Sequence, residues 1–203
     1  MKREIIEYII EAAAGKGLTI FDIDETLFHT KTKINVVANN KIIHRLTNIE
    51  YNDYKLKSGE SYDYGEFKNA EIFNKTATPI GKMIAKAKVI IKNATKSGSK
   101  VIVVTARGDM DDKKLFIKTF EAQGIDMSKV YIERAGNIGL NTSAKNKEIV
   151  FRKYLDTGLY KRIRLFDDAM ENLLALTSLK DEYPDISFEA YRVNKNGSIS
   201  TVK

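Results

Sequence analysis

Short β-rich runs alternate with longer helical patterns through most of this sequence, and that alternation leaves few architectures open. Strands are predicted at Leu18 to Asp22, Lys100 to Thr105, Lys129 to Glu133, Arg162 to Phe166 and Ile186 to Val193. Runs such as KVIVVT and RIRLF are bounded by glycine or polar residues and are too short for helices. Helix-like segments lie between them, at Pro79 to Ser97, Asp111 to Gln123, Ser143 to Tyr154 and Met170 to Leu179. The first opens on Pro79 and stops at Gly98, as helix start and stop signals do. Its Met83, Ile84, Ala87, Ile90, Ile91 and Ala94 share one side, and Lys82, Lys86, Lys88, Lys92 and Lys96 share the other. A lysine stripe of this kind reads as a solvated face rather than a phosphate track. Alternating β and α implies an α/β fold with a central parallel sheet and helices on both faces. Active sites in such sheets sit at the carboxyl ends of the strands, near a topological switch point.

One segment interrupts the pattern. From His29 to Thr78 about fifty residues precede the crossover helix, against roughly 2–6 in a usual βα loop. KINVVANNKIIHRL reads as a hairpin turning at Asn39-Asn40, where Asn tolerates positive φ. The stretch is expected to form a small α+β cap, residues 29–78, over a core made of 1–28 and 79–203. Its Tyr51, Tyr54, Tyr62, Tyr64 and Phe67 are expected to form the insertion's own small core, with stacking on a base as the functional alternative.

Composition excludes several classes. Hydrophobic residues are 43% and charged residues 30%, the profile of a globular protein with a real core. No stretch approaches the ~18–20 apolar residues needed to cross a bilayer. The start, MKREIIEYIIEAAAGKG, carries Glu4, Glu7 and Glu11 among its apolar residues and reads as an amphipathic helix rather than a signal peptide. There is no cysteine, so disulfides and thiolate metal sites are excluded, and the cytoplasm is the expected location. The net charge of +7 permits an acidic partner without demanding one, because the lysines are spread along the chain.

The strand ends carry the chemistry. The first ends in Asp22-Ile23-Asp24-Glu25-Thr26, and positions i and i+2 of an extended chain project to one side. Two carboxylates there can divide labour, one attacking and the other moving a proton. The second ends in VIVVTARGD, where Thr105 offers a hydroxyl, the turn at Ala106 offers backbone N–H groups, and Arg107 offers a fork suited to phosphate. The fourth ends in Asp167-Asp168, oxygen ligands that suit a hard cation such as Mg²⁺. SAKNKEIVFRKYL places Lys145 and Lys147 at the start of a helix, where an anion is favoured.

Asp22-x-Asp24-x-Thr26, then Thr105 after an apolar strand, then a lysine, then Asp167-Asp168 resembles the four motifs of the haloacid dehalogenase superfamily of phosphohydrolases. The resemblance runs from about Leu18 to the chain end, and the cap matches only in kind. It implies a Rossmann-like three-layer sandwich and a Mg²⁺-dependent phosphomonoesterase. In that reading Asp22 is the nucleophile, and Asp24 protonates the leaving oxygen and later activates water. Asp22, Asp167 and the Asp24 main-chain carbonyl hold Mg²⁺, with Asp168 assisting. Thr105 binds a phosphoryl oxygen, and Lys147, rather than Lys145, neutralises charge. Thr26, Ala106 and Arg107 are the expected substrate contacts. KNKEIVFRKYL…FDDA with Thr105-Ala106-Arg107 also looks like the phosphatase domain of polynucleotide kinase-phosphatase enzymes, which act on nucleic-acid ends. Glu25 stands where that group more often has Gly. Nucleotides, nucleic-acid ends and sugar phosphates are the open substrate classes, and a catalytically silent nucleic-acid-binding protein is the non-enzyme alternative. The order of the motifs argues against a receiver domain, and FDIDETLF lacks the glycines of a P-loop or dinucleotide site.

Overall fold

A computed structural model describes residues 15–139 and 142–202. The helix expected at the N-terminus falls outside the described residues. In chain order the elements are β1 (Gly17–Phe21), β2 (Phe28–His29), β3 (Ile34–Ala38), β4 (Lys41–Leu46), α1 (Asn48–Asp53), β5 (Glu60–Asp63), α2 (Gly65–Lys68), α3 (Ala70–Thr76), β6 (Thr78–Pro79), α4 (Gly81–Ser97), β7 (Lys100–Thr105), α5 (Lys113–Glu121), β8 (Val130–Arg134), α6 (Ser143–Leu155), β9 (Arg162–Asp167), α7 (Met170–Thr177), β10 (Ser187–Val193) and β11 (Ile199–Val202).

The main sheet runs β11-β10-β9-β1-β7-β8 and is parallel except for β11. Its central strand, GLTIF, is buried throughout, as a strand covered on both faces must be. Leu18 and Ile20 point into one core with Phe151, Leu155, Leu173 and Leu176 of α6 and α7. Phe21 points into a second core with Met83, Ile84, Phe116 and Phe120 of α4 and α5. The result is a Rossmann-like α/β sandwich with helices on both faces. The chain steps from β1 to β7 and β8 on one side, then returns to β9 on the other. The switch point therefore lies between β1 and β9, where ligands bind in open α/β sheets.

Two sequence expectations are corrected. Pro79 does not open a helix: it pairs with Phe28 in a two-residue bridge, the Ile80 N–H donates to the Leu27 carbonyl at 2.9 Å, and α4 begins at Gly81. Strand β11 was not expected. It is short, carries Ser200 and Thr201, and returns antiparallel to β10 after a turn closed by Gly197 at φ +73°.

Residues 29–78 hold an antiparallel sheet in the order β4-β3-β5. Its hairpin turns at Asn39 and Asn40, with φ of 50° and 59°, as the sequence indicates. Tyr62 sits edge-on to Tyr51 at 4.8 Å and near Tyr54 and Tyr64; the tyrosines expected as the segment's small core do cluster, but they are half-buried and Tyr64 is exposed. Phe67 departs from that group and is buried against Arg107. On α3, Phe73 inserts among Phe28, Phe116 and Phe120 and ties the segment to the main core. Among the described residues, no helix is long and apolar enough to cross a membrane.

Candidate active site

The carboxyl ends of β1 and β9 bring Asp22 and Asp167 together because the two strands pair in register, Phe21 opposite Phe166, and the Asp22 N–H continues the ladder to the Phe166 carbonyl at 3.0 Å. Lys147 reaches between them from the first turns of α6. Its Nζ donates to Asp22 Oδ1 at 2.7 Å and to Asp167 Oδ2 at 2.8 Å. The ammonium is buried, whereas Lys145 is exposed and gives its backbone N–H to the cap residue Thr142. Lys147 heads the stripe Lys147, Val150, Phe151, Tyr154 and Leu155 that α6 buries. Ile149, expected to face inward with them, lies off that stripe and is 42% exposed.

Asp167 is fully held. Its Oδ1 accepts the Ala169 N–H at 3.0 Å and the Asn172 Nδ2 at 2.9 Å, while Oδ2 takes Lys147. Asp168 lies beside it. Oxygen atoms of Asp22, Asp167 and Asp168 can all come within 4.8 Å of one another. Burial pushes the Asp22 carboxyl well above the usual carboxylate range; Lys147 pulls it back, and Asp167, Asp168 and Asp24 add to the rise. Burial and the neighbouring Asp167 push Asp168 up to about 7, against the pull of Lys147. Burial alone would lower Lys147, but Asp167 and Asp22 raise it above the usual lysine value and keep it charged.

Asp24 turns the other way. Its carboxylate accepts Arg107 Nε at 2.9 Å, Arg107 Nη2 at 2.6 Å and the Thr30 hydroxyl at 2.6 Å. The fork of Arg107, expected to face a phosphate, is given to Asp24 instead. Thr26, also expected among the substrate contacts, is wholly buried, its Oγ1 has no hydrogen-bond partner, and it does not line the cavity. Thr105 is buried at the end of β7 and, like Thr26, does not line the cavity; its Oγ1 accepts the Arg107 backbone N–H at 3.1 Å, which leaves the hydroxyl hydrogen to donate. Ala106 and Arg107 both line the cavity.

The charges of this cluster do not balance. Among the described residues Lys147 pairs with Asp22 and Asp167 and Arg107 pairs with Asp24, Asp168 stands beside them without an ion pair, and Lys68 is a further cation on the cavity wall. Arg107 offsets Asp24, which leaves three crowded carboxylates around one ammonium. A divalent cation matches that deficit, and an all-oxygen donor set of this kind suits Mg²⁺. The three acids that could hold it are Asp22, Asp167 and Asp168. The side chain of Asp24 is not one of them.

A cavity of about 590 Å³ opens above the cluster. Asp22, Asp24 and Lys147 line its base, Tyr51 and Tyr64 border it from the insertion, and Gly136 and Asn137 border it opposite. Sequence reading passed over the residues that hold this wall. A Cβ on Gly136 would stand 2.8 Å from the Arg107 carbonyl carbon and from the Gly108 nitrogen, and closer still to the Ala106 oxygen. Asn137 Oδ1 accepts the Asp109 N–H at 3.0 Å, and Arg134 pairs with Asp109 at 2.8 Å. These contacts fix the Thr105–Asp109 turn, and with it Arg107. Gly136→Ala is therefore expected to displace the turn and to cost about 1–3 kcal/mol from overpacking, which a thermal melt checks. Asn172, Thr30 and Gly136 carry no local signature, and only their distant partners reveal them.

No family model and no curated protein matches the chain.

Proposed function

We propose that this chain is a Mg²⁺-dependent phosphomonoesterase of the haloacid dehalogenase type, acting through an aspartyl-phosphate on Asp22. The observation that carries the reading is the charge deficit at the switch point: Asp22 and Asp167 share Lys147, Asp168 stands beside them, and Asp22, Asp168 and Lys147 line an open cavity. Phosphoryl transfer asks mainly for positioning and charge neutralisation, which such a site supplies. Bound Mg²⁺, held by Asp22, Asp167 and Asp168, would supply Lewis-acid neutralisation of the phosphoryl oxygens.

The chain's own residues do the rest. An Asp22 carboxylate oxygen attacks phosphorus, the bond from phosphorus to the leaving oxygen breaks, and Asp24, ionised against Arg107 in this structure and taking up a proton from solvent when substrate binds, passes that proton to the leaving oxygen. Water then attacks phosphorus and gives one proton to Asp24. The bond to Asp22 breaks, phosphate leaves, and both carboxyl groups are restored. Lys147 holds Asp22 in place and offsets charge on the phosphoryl group; Thr105 donates its hydroxyl hydrogen to a phosphoryl oxygen.

Residues 29–78 act as a cap in this reading. A cavity near 590 Å³ falls within the ~300–1,000 Å³ of ligand pockets and leaves room beyond a phosphoryl group. Tyr51 and Tyr64 at its border favour a substrate with a planar ring, a nucleotide or a nucleic-acid end, over a sugar phosphate. The absence of cysteine fits a reducing compartment such as the cytoplasm.

Phosphate release from nucleotides, 3′- and 5′-phosphorylated oligonucleotides and sugar phosphates tests the assignment. Release is expected to require Mg²⁺, to stop with EDTA and to return when Mg²⁺ is restored. Preference for sugar phosphates would overturn the substrate class. No release from any member, with binding to nucleic acid retained, would replace the enzyme reading by the binding-protein one.

A further inference from the structure

The geometry points to Arg107 as a positioning residue for Asp24 rather than a ligand for the substrate phosphate. The inference rests on the phosphatase reading and deepens it.

The guanidinium has five N–H donors. Nε and Nη2 take the two oxygens of Asp24, Nη2 also donates to Thr32 Oγ1 at 2.9 Å, and Nη1 donates to the Phe67 carbonyl at 2.9 Å. At most one N–H remains for anything else. The group is 1% exposed and stacks against Phe67 at 4.5 Å and Phe73 at 4.9 Å. Arg107 lines the cavity, so a phosphoryl oxygen there meets at most that one N–H and not a free fork. The two-point contact fixes the rotation of the Asp24 carboxyl, and Thr30 fixes it from a third direction.

Thr30, Thr32 and Phe67 all belong to the 29–78 segment. The insertion therefore reaches the proton-transferring residue through Arg107 as well as bordering the cavity. The partners of Arg107 on other elements complete the mounting: its own turn is fixed by Gly136 and Asn137 after β8. Proton transfer succeeds only when the acid stands within hydrogen-bond reach of the leaving oxygen. Loosening Asp24 should therefore matter in proportion to how much the leaving group needs a proton.

Leaving-group dependence separates the two roles. In Arg107→Met, kcat/KM for an alkyl phosphate is expected to fall about 100-fold, within the range for general acid catalysis. An activated aryl ester such as 4-nitrophenyl phosphate, whose leaving group departs without a proton, is expected to lose only about threefold, and inhibition by vanadate to stay within about threefold. Arg107→Lys should not restore the alkyl activity, since an ammonium lacks the fork. Equal losses on both substrates with weakened vanadate inhibition would overturn the inference in favour of a phosphate ligand, and so would no loss on either. Should Arg107→Met fail to fold, Thr32→Val removes one of the four contacts without changing side-chain volume. The alkyl-selective pattern is then expected at roughly three- to tenfold; an unselective loss or no loss overturns the inference. Wild-type turnover and its disappearance in Asp22→Asn test the phosphatase reading separately.

Discussion

Asp22→Asn is expected to abolish phosphate release, by at least about 10⁴-fold, and to leave the fold intact. Losses of that size follow removal of a covalent nucleophile. The amide has the shape of the carboxylate and can still accept the Lys147 proton through its oxygen, so the Lys147 bridge at 2.7 Å has a replacement acceptor. It cannot form the phosphoryl ester. Stability should be unchanged or higher, because the substitution removes one of three crowded acids and the repulsion from Asp167 and Asp168 with it. Steady-state release, acid-quench trapping of labelled protein and a thermal melt give the three readouts. Appreciable turnover in a contamination-free preparation would remove Asp22 from the nucleophile's role. A lowered melting point would mean that Asp22 is chiefly structural.

Lys147→Met should damage both activity and stability. Asp22 and Asp167 are buried, and Lys147 is the cation that both touch. Breaking a buried ion pair from one side costs about 3–5 kcal/mol, because the partner charge stays behind in a poorly solvated place. For a chain of this size that corresponds to a melting-point drop of roughly 6–20 °C. The variant should also respond more strongly to Mg²⁺ than the wild type, since a bound cation then supplies the missing positive charge. Differential scanning calorimetry with and without Mg²⁺ measures both effects. A drop smaller than about 2 °C would show that the acids tolerate the loss of Lys147, for instance by taking up protons.

The sheet was legible because its signals are local. GLTIF, KVIVVT and RIRLFD are apolar runs bounded by polar residues, and their observed limits fall within about a residue of the expected ones. The acids were legible because a carboxylate beside a buried strand needs a reason. The failures involve pairings between distant parts of the chain. Pro79 carries a helix-start signal, yet its backbone is claimed by Phe28. Arg107 beside Thr105 suggests a phosphate fork; it does line the cavity, but its pairing with Asp24 from another strand end is not visible in the sequence. Thr26 sits in the motif but is turned into the core, with no partner for its hydroxyl. Glu25 occupies a left-handed position, φ 56°, where glycine would be unstrained. There its carboxylate accepts the Thr30 N–H and meets His29 at 2.7 Å, so this residue has a local task.

The strand order also sets a timetable for synthesis. β1 lies at the centre of the sheet, but its two neighbours are β7 and β9, and Gly17 must wait for Arg162. At ribosomal speeds of about 5–20 residues per second, that wait lasts on the order of ten seconds. Until then Leu18 and Ile20 have no β9 beside them, and contacts of such long sequence separation make folding slow. Lys147 is made before Asp167, so the acids of the site gather around an ammonium already in the chain. The docking of β9, which completes the pairing of β1, also assembles the cluster, and β10 and β11 then extend the sheet from its edge.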